Sequence, residues 1–166
     1  VSVVIPVYNE KRYIVDCIES LLKQTYSKEN MEIIFVDGNS QDETSLIIEQ
    51  YSKEYGYIKL LHNPKKIVPV SMNIGIREAQ GQYIIRLDAH SEYSDDYVEK
   101  CVHYLNTTDA DNVGGCAITK GKGFVGDTIA AMLSSKFGVG NSRFRTEQVS
   151  AYVDTVPFGA FRREVF

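Results

Sequence analysis

The chain predicts an α/β fold, a mostly parallel sheet with helices on both faces. Three observations carry this. Short apolar runs alternate with stretches of helical spacing from Val3 to Leu105. The first two runs are continuous rather than alternating, as suits strands buried on both faces. No internal repeat, coiled-coil heptad or low-complexity tract competes with that pattern.

The elements follow in order. A strand over 3–6 passes through a loop, 7–11, into a helix over 12–24. Ile14, Ile18, Leu21 and Leu22 form the helix's apolar face, with Cys17 alongside. A second strand, 33–36, ends at the turn Asp37-Gly38-Asn39-Ser40, and Asp42 suits the N-cap of the next helix. Leu46, Ile47 and Tyr51 are expected to be that helix's buried stripe. A third strand, 58–61, precedes a loop with Asn63-Pro64, where Lys65 and Lys66 read as solvated. The next helix starts near Pro69 and runs to Ala79, with Gly81 as its stop. A fourth strand, 83–87, leads through a polar loop to a helix over 95–105, faced by Tyr97, Val98, Cys101, Val102 and Leu105. Beyond it, 112–118 reads as a strand, 121–126 as a flexible glycine-rich connection and 128–137 as a short helix. A late strand is expected over 150–156, ahead of Pro157-Phe158-Gly159-Ala160-Phe161.

A length of 166 residues suits one domain with a sizeable core. A net charge of −4 argues against a nucleic-acid partner. It leaves room for an anionic ligand whose charge is met by a metal or a local arginine. Cys17, Cys101 and Cys116 are odd in number, lack a C-x-x-C pair and sit in apolar surroundings. They read as reduced core thiols in a cytoplasmic protein. No apolar run is long enough to cross a bilayer, and no signal peptide is visible. Both ends read as cut: the chain starts inside a strand, and Arg162-Arg163-Glu164-Val165-Phe166 reads as the opening of a further element. The expectation is a fragment of a longer protein, truncated on its C-terminal side.

The densest chemistry is Arg86-Leu87-Asp88-Ala89-His90, where the fourth strand runs out. In extended backbone, side chains two residues apart point the same way. A carboxylate and an imidazole converging there suit a divalent cation, and a cation can grip a diphosphate. Ligands in such sheets lie beyond the carboxyl ends of the strands, where Asp37 and Asp88 both fall. Between the first strand and its helix the chain has Pro6-Val7-Tyr8-Asn9-Glu10, with no G-x-G-x-x-G and no P-loop lysine motif. A glycine-rich phosphate loop is thereby excluded, and a nucleotidyltransferase, the nearest enzyme alternative, is disfavoured. A non-catalytic nucleotide-binding module stays open.

Val4-Ile5-Pro6-Val7-Tyr8-Asn9-Glu10, Val36-Asp37-Gly38-Asn39-Ser40-Gln41-Asp42-Glu43-Thr44, Asn73-x-Gly75, Ala79-x-Gly81 and Leu87-Asp88-Ala89-His90 together resemble family 2 of the inverting glycosyltransferases. That resemblance spans essentially the whole chain. It implies the GT-A nucleotide-diphospho-sugar transferase fold and a single donor-binding domain over 1–166. The Asp-Ala-His form resembles bacterial exopolysaccharide and capsule enzymes that use UDP-sugars; the usual metal motif is Asp-x-Asp, and His90 departs from it. The implied partners are a UDP-sugar donor and a saccharide or lipid-linked glycan acceptor, with no nucleic acid. The parent would work at the cytoplasmic face of a membrane, its own membrane association being open. By position, Pro6, Val7 and Tyr8 would line the base pocket, with Glu10 near ribose and base. Asp37 would accept a hydrogen bond from uracil or ribose, and Asn73 and Arg77 would lie close to the nucleotide. Asp88 would contact ribose or metal, and His90 the metal and diphosphate. Gly75 and Gly81 would allow close approach of helix and strand. Phe158, Gly159 and Ala160 would lie beside donor sugar and acceptor, and Arg162 and Arg163 would face phosphate or solvent. No catalytic residue is expected in the chain, since the family's base lies in an acidic motif further on; the isolated fragment is expected to bind UDP and transfer sugar poorly. Plainer roles compete: Asp37 as a turn-former, Asp42 as a cap, Glu10 as solvated charge at a helix start and Arg77 as a solvent-facing residue.

Overall fold

Alternation along the first strand, β1 (Ser2–Val7), decides the layers. Val3, Ile5 and Val7 enter one apolar cluster with Ile33, Phe35, Tyr83 and Ile85. Val4 enters another with Ile34, Val36 and Ile84. The larger cluster is covered by Ile14, Cys17, Ile18 and Leu21 of α1 (Ile14–Leu22), Ile48 of α2 (Thr44–Glu54), and Val98, Cys101 and Leu105 of α4 (Tyr97–Thr107). The smaller is covered by α3 (Val68–Glu78), through Met72, Ile74 and Ile76. Helices therefore lie on both faces, as the apolar runs require.

The computed structural model describes residues 1–121, 123–140, 142–146, 150–153 and 155–166. The sheet has six strands in the order β3-β2-β1-β4-β6-β5. Here β2 is Glu32–Asp37, β3 Ile58–His62, β4 Tyr83–Arg86, β5 Asn112–Val113 and β6 Ala160–Arg162. The first four strands pair in parallel, and β6 pairs antiparallel with both β4 and β5. Because β1 lies between β2 and β4, the chain reverses its direction of winding there, which opens a crevice beyond the carboxyl ends.

The chain divides into two compact units. One is Val1–Val113 with Phe158–Phe166, and the other is Gly114–Pro157. The second unit holds α5 (Gly123–Leu133), α6 (Lys136–Val139) and α7 (Arg143–Thr146). Within it, Ala117 N–H donates to the Phe144 carbonyl at 2.8 Å.

Several expectations need correction. Leu46 is 58% exposed; the buried stripe of α2 is Thr44, Ile47, Ile48 and Tyr51, whose i, i+3, i+4, i+7 spacing leaves Leu46 out of phase. The strand expected over 112–118 stops at Val113, and Ile118 is 72% exposed. Its partner β6 begins only at Ala160, after Phe158 at φ 53°, so pairing runs out where Gly114 begins. No strand forms over the described part of 150–156, position 154 lying outside the described residues. The open edge of β4 is instead taken by Ala160–Arg162, which matches it residue for residue. The glycine-rich 121–126 is not a connection throughout, because α5 starts at Gly123. Cys17 and Cys101 are buried, which pushes each thiol up to about 12; for Cys17 the Glu10 and Asp88 charges add to burial. Cys116 is exposed, not in the core.

Two features close the floor of the sheet. Gly81 N–H donates to Ser2 Oγ at 2.8 Å, and a Cβ at Gly81 would sit 2.6 Å from the Ser2 nitrogen, so the turn into β4 admits no side chain there. Glu32 accepts from Ser2 Oγ and Gln80 N–H, both at 2.6 Å, and pairs with Lys59 Nζ at 2.8 Å. Burial raises the Glu32 carboxyl, but the bonds from Lys59, Ser2 and Gln80 outweigh it and hold the group below its ordinary value. A depressed folded value means stabilisation that is complete above the unfolded carboxyl's pKa of about 4.3 and lost as pH falls through the folded one. In urea titrations, the stability gap between wild type and Glu32→Gln is expected to narrow from about pH 7 to about pH 3. A gap independent of pH would refute this role.

Candidate functional site

The site is assembled from loops that leave the carboxyl ends of four neighbouring strands. After β1, Asn9 takes φ 55°, a left-handed conformation that asparagine tolerates. Its side chain accepts from Gln41 N–H at 2.7 Å, and its own N–H donates to Ser40 Oγ at 2.9 Å. Glu10 N–H donates to Thr44 Oγ1 at 2.8 Å, and Lys11 N–H to Asp42 Oδ2 at 3.1 Å. The loop after β1 is thus stitched to the loop after β2. Asp42 also receives Thr44 N–H at 3.0 Å, but the N-cap of α2 is Glu43, so the cap expected at Asp42 falls one residue early and its carboxylate closes the turn that leads into the helix. This stitching is why the Asp37-to-Thr44 segment is so polar, a role the sequence reading missed.

Asp37 ends β2 at 2% exposure. Its carboxylate accepts from Ser40 N–H at 3.1 Å and Ser45 Oγ at 2.9 Å, with His62 Nδ1 at 3.9 Å. Those bonds occupy it, and from this turn it is Gly38 that reaches the cleft. After β3, the buried Asn63 donates to the Ile67 carbonyl and Ser71 Oγ and accepts from Lys65 N–H at 2.9 Å. That turn, with Lys66 at φ 59°, places Lys66 against the cleft beside Val68 and Ser71 from the start of α3. Lys66 is solvent-exposed in its turn, as the sequence leads one to expect, and borders the cleft as well; the Asn63-Pro64 turn signal is the hint to that second role.

Arg86 at the end of β4, and Asp88, Ala89 and His90 beyond it, line the same cleft as Pro6, Val7, Tyr8 and Glu10. The cleft has a volume of about 240 Å³. That is somewhat below the roughly 300–1,000 Å³ that encloses a whole small ligand, so an open half-site is the fair description. His90 Nδ1 lies 3.1 Å from Glu10 Oε1, and Arg86 donates to Asp88 Oδ1 at 3.2 Å. Tyr8 is 46% exposed and lines the cleft. Acidic Glu10 and Asp88 thus alternate with basic Lys66 and Arg86 around one opening.

Other candidates lie elsewhere. Asn73 and Arg77 are exposed on α3 and do not line the cleft. Phe158, Gly159 and Ala160 sit at the head of β6, where Arg86 N–H donates to the Gly159 carbonyl at 2.9 Å. Arg162 donates to the Leu105 carbonyl, and Arg163 to the Ala79 carbonyl at 2.5 Å. Both guanidinium groups therefore serve the C-terminal carbonyls of α4 and α3, and neither faces the cleft.

Among the described residues, no group of three or more His, Cys, Asp or Glu side chains is arranged to hold a metal ion. Asp88 and His90 both line the cleft, with Glu10 against the imidazole, and offer oxygen and nitrogen donor atoms. Such a set fits an ion that takes its remaining ligands from phosphate oxygens, as Mg2+ sites commonly do. Among the described residues, no helix is long and apolar enough to cross a membrane.

Known proteins align with this frame. A family model described as Glycosyl transferase family 2 matches residues 2–166. The succinoglycan biosynthesis protein ExoA of Rhizobium meliloti is 33% identical over 99% of this chain and 50% of its own length. This chain spans about half the length of the first curated relatives it matches. The crystal structure of S. aureus TarS 1-349 in complex with UDP superposes with a TM-score of 0.69 at 21% identity, over 99% of this chain and 47% of that one. The mannosyltransferase PcManGT from Pyrobaculum calidifontis, solved with GDP-Man and Mn2+, gives a TM-score of 0.65 at 22% identity over 70% of this chain and 34% of its own. At those identities the two structures speak for the fold alone, a mostly parallel α/β sheet.

Proposed function

The chain belongs to glycosyltransferase family 2, and from that premise we propose that its cleft binds the nucleotide-sugar donor of an inverting glycosyl transfer. One observation carries the reading: Tyr8, Glu10, Lys66, Asp88 and His90, from loops after β1, β3 and β4, converge with Arg86 at the end of β4 on one opening at the carboxyl ends of the sheet. The donor is a UDP-sugar, a choice supported by the structural neighbour that holds UDP. The acceptor is a saccharide or a lipid-linked glycan, in exopolysaccharide or cell-surface glycan synthesis, as the name of the Rhizobium relative suggests. Pro6 and Val7 form the floor of the base pocket and Tyr8 offers a ring face to the base. Lys66 and Arg86 bring positive charge to the diphosphate. Asp88 and His90 hold Mn2+ or Mg2+, and Glu10 fixes the imidazole through Nδ1. When bound, the ion offsets negative charge on the diphosphate.

The transfer forms a bond between an acceptor oxygen and the anomeric carbon, from the face opposite the diphosphate. The bond from that carbon to the diphosphate oxygen breaks, and UDP leaves with the electron pair. The acceptor's proton goes to a base, which is assigned to no residue of this chain. Phe158, Gly159 and Ala160 border the sugar and acceptor, tied to the cleft through the Gly159 carbonyl and Arg86 N–H. Asp37 acts on the donor only indirectly, by shaping the turn that carries Gly38. Calorimetry with UDP and the chain tests the proposal. Binding is expected in Mn2+ and is expected to weaken when the metal is chelated; no binding in Mn2+ would refute it.

A further inference from the structure

Asp88 must present its carboxylate to the cleft from a loop, because β4 has already ended at Arg86. Loop backbone needs something to hold it. The Tyr93 hydroxyl accepts from Asp88 N–H at 2.8 Å and donates to the Asp88 carbonyl at 3.0 Å. One phenol thus satisfies both main-chain groups of a single residue. The Tyr93 side is fixed in turn. Its N–H donates to Ser20 Oγ at 3.2 Å, and Ser20 donates to the Cys17 carbonyl at 2.7 Å on α1. Its ring meets Tyr97 at 5.5 Å and the edge of Phe158 at 5.7 Å, at an interplanar angle of 86°. Tyr97 Oη donates to the Phe158 carbonyl at 2.7 Å, across the residue held at positive φ. Tyr93 is 7% exposed, and burial raises its phenol, so the proton it donates stays in place across the physiological range. A buried ring between α1, α4 and the Phe158 turn is a rigid post, and its hydroxyl is the group that reaches the Asp88 main chain.

We propose that Tyr93 is a positioning residue that holds the Asp88 main chain so that its carboxylate meets the donor's metal-bound diphosphate. The inference rests on the donor-site reading above and assigns the device that makes Asp88 effective. Tyr93 touches neither donor nor metal. Its hydroxyl fixes where the Asp88 Cα–Cβ bond points, and its ring couples that setting to the Phe158 turn beside the acceptor segment.

The test is Tyr93→Phe, which keeps the ring and its packing and removes only the bridge. Tyr83→Phe is the matched control: Tyr83 is equally buried, and its hydroxyl donates to Asn106 Oδ1 at 2.5 Å, away from the cleft. Two readouts are taken on the full chain. One is the Mn2+ concentration that gives half-maximal UDP binding. The other is amide hydrogen exchange at Asp88 without metal. Tyr93→Phe is expected to raise the Mn2+ midpoint about tenfold or more, the scale on which outer-shell partners act, and to speed exchange at Asp88. Tyr83→Phe is expected to lower thermal stability similarly while moving neither. A Tyr93→Phe midpoint within about twofold of wild type, or an Asp88 amide unchanged in exchange, would overturn the assignment. Asp88→Asn separates the two levels: if that variant keeps the wild-type metal dependence, Asp88 holds no ion and this inference falls, whereas the donor-site reading falls only if the wild-type chain binds no UDP in Mn2+.

Discussion

Asp88→Asn is expected to weaken UDP binding in Mn2+ by more than about 100-fold, beyond the roughly 10–100-fold lost when only an outer-shell partner is removed. The substitution is nearly isosteric. It leaves the main-chain bonds to Tyr93 untouched, so the fold should persist. With the metal chelated the sign changes. Asp88 then contributes only negative charge near a polyanionic ligand and draws Arg86 to itself at 3.2 Å. Removing that charge frees Arg86 for the diphosphate, so the variant should bind metal-free UDP at least as well as wild type. Paired titrations, with Mn2+ and with a chelator, read both limbs. Equal loss in both would mean that Asp88 contacts ribose or supports the loop and holds no ion.

Gly75→Val is expected to be among the most destabilising single changes in the chain. Gly75 lies where α3 crosses the sheet, and an added Cβ would stand 2.3 Å from Val4 Cγ1 and 3.3 Å from Val36 Cγ2. Val4 and Val36 are wholly buried and β-branched, so neither can swing aside. Overpacking of this kind costs typically about 1–3 kcal/mol, and valine adds two further methyl groups at the same point. A loss of at least about 3 kcal/mol would lower Tm by about 6–12 °C for a chain of this size. Gly75→Ala separates two opposing terms. Helix propensity favours alanine by up to about 1 kcal/mol, while the clash opposes it. The clash should win, with a smaller drop than valine gives. Calorimetric melting of both variants checks the order; an unchanged Tm in Gly75→Val would mean that α3 does not seat on Val4. Function is linked to that seating, because Val68 and Ser71 at the start of the same helix line the cleft.

The parallel core was legible because burial on both faces leaves a one-dimensional signature. Val3 to Pro6, Ile33 to Val36 and Tyr83 to Ile85 can be little else when helical spacing follows each. The cleft's position was legible for a related reason, since chain reversal in such a sheet places ligands at the carboxyl ends. Asp88, His90, Tyr8 and Glu10 fall there by connectivity alone. The antiparallel edge was harder. Ala160–Arg162 is only three residues long, and nothing local marks it as a strand. It becomes one because the edge of β4 is open to it.

Local pattern in these 166 residues therefore dictates the four parallel strands, the helices that follow them, and at which end of the sheet a ligand would sit. Long-range contacts alone decide what each polar side chain at that end does. Asp37 and Asp88 both follow apolar runs and look alike in one dimension. Folding hands the first to Ser40 and Ser45 and opens the second to the cleft. Arg162 and Arg163 look like anion-binding groups until the carbonyls of Leu105 and Ala79 arrive to take them. A buried charge or phenol is committed by whichever partner reaches it first in three dimensions, and those partners stand anywhere from three to more than eighty positions away along the chain.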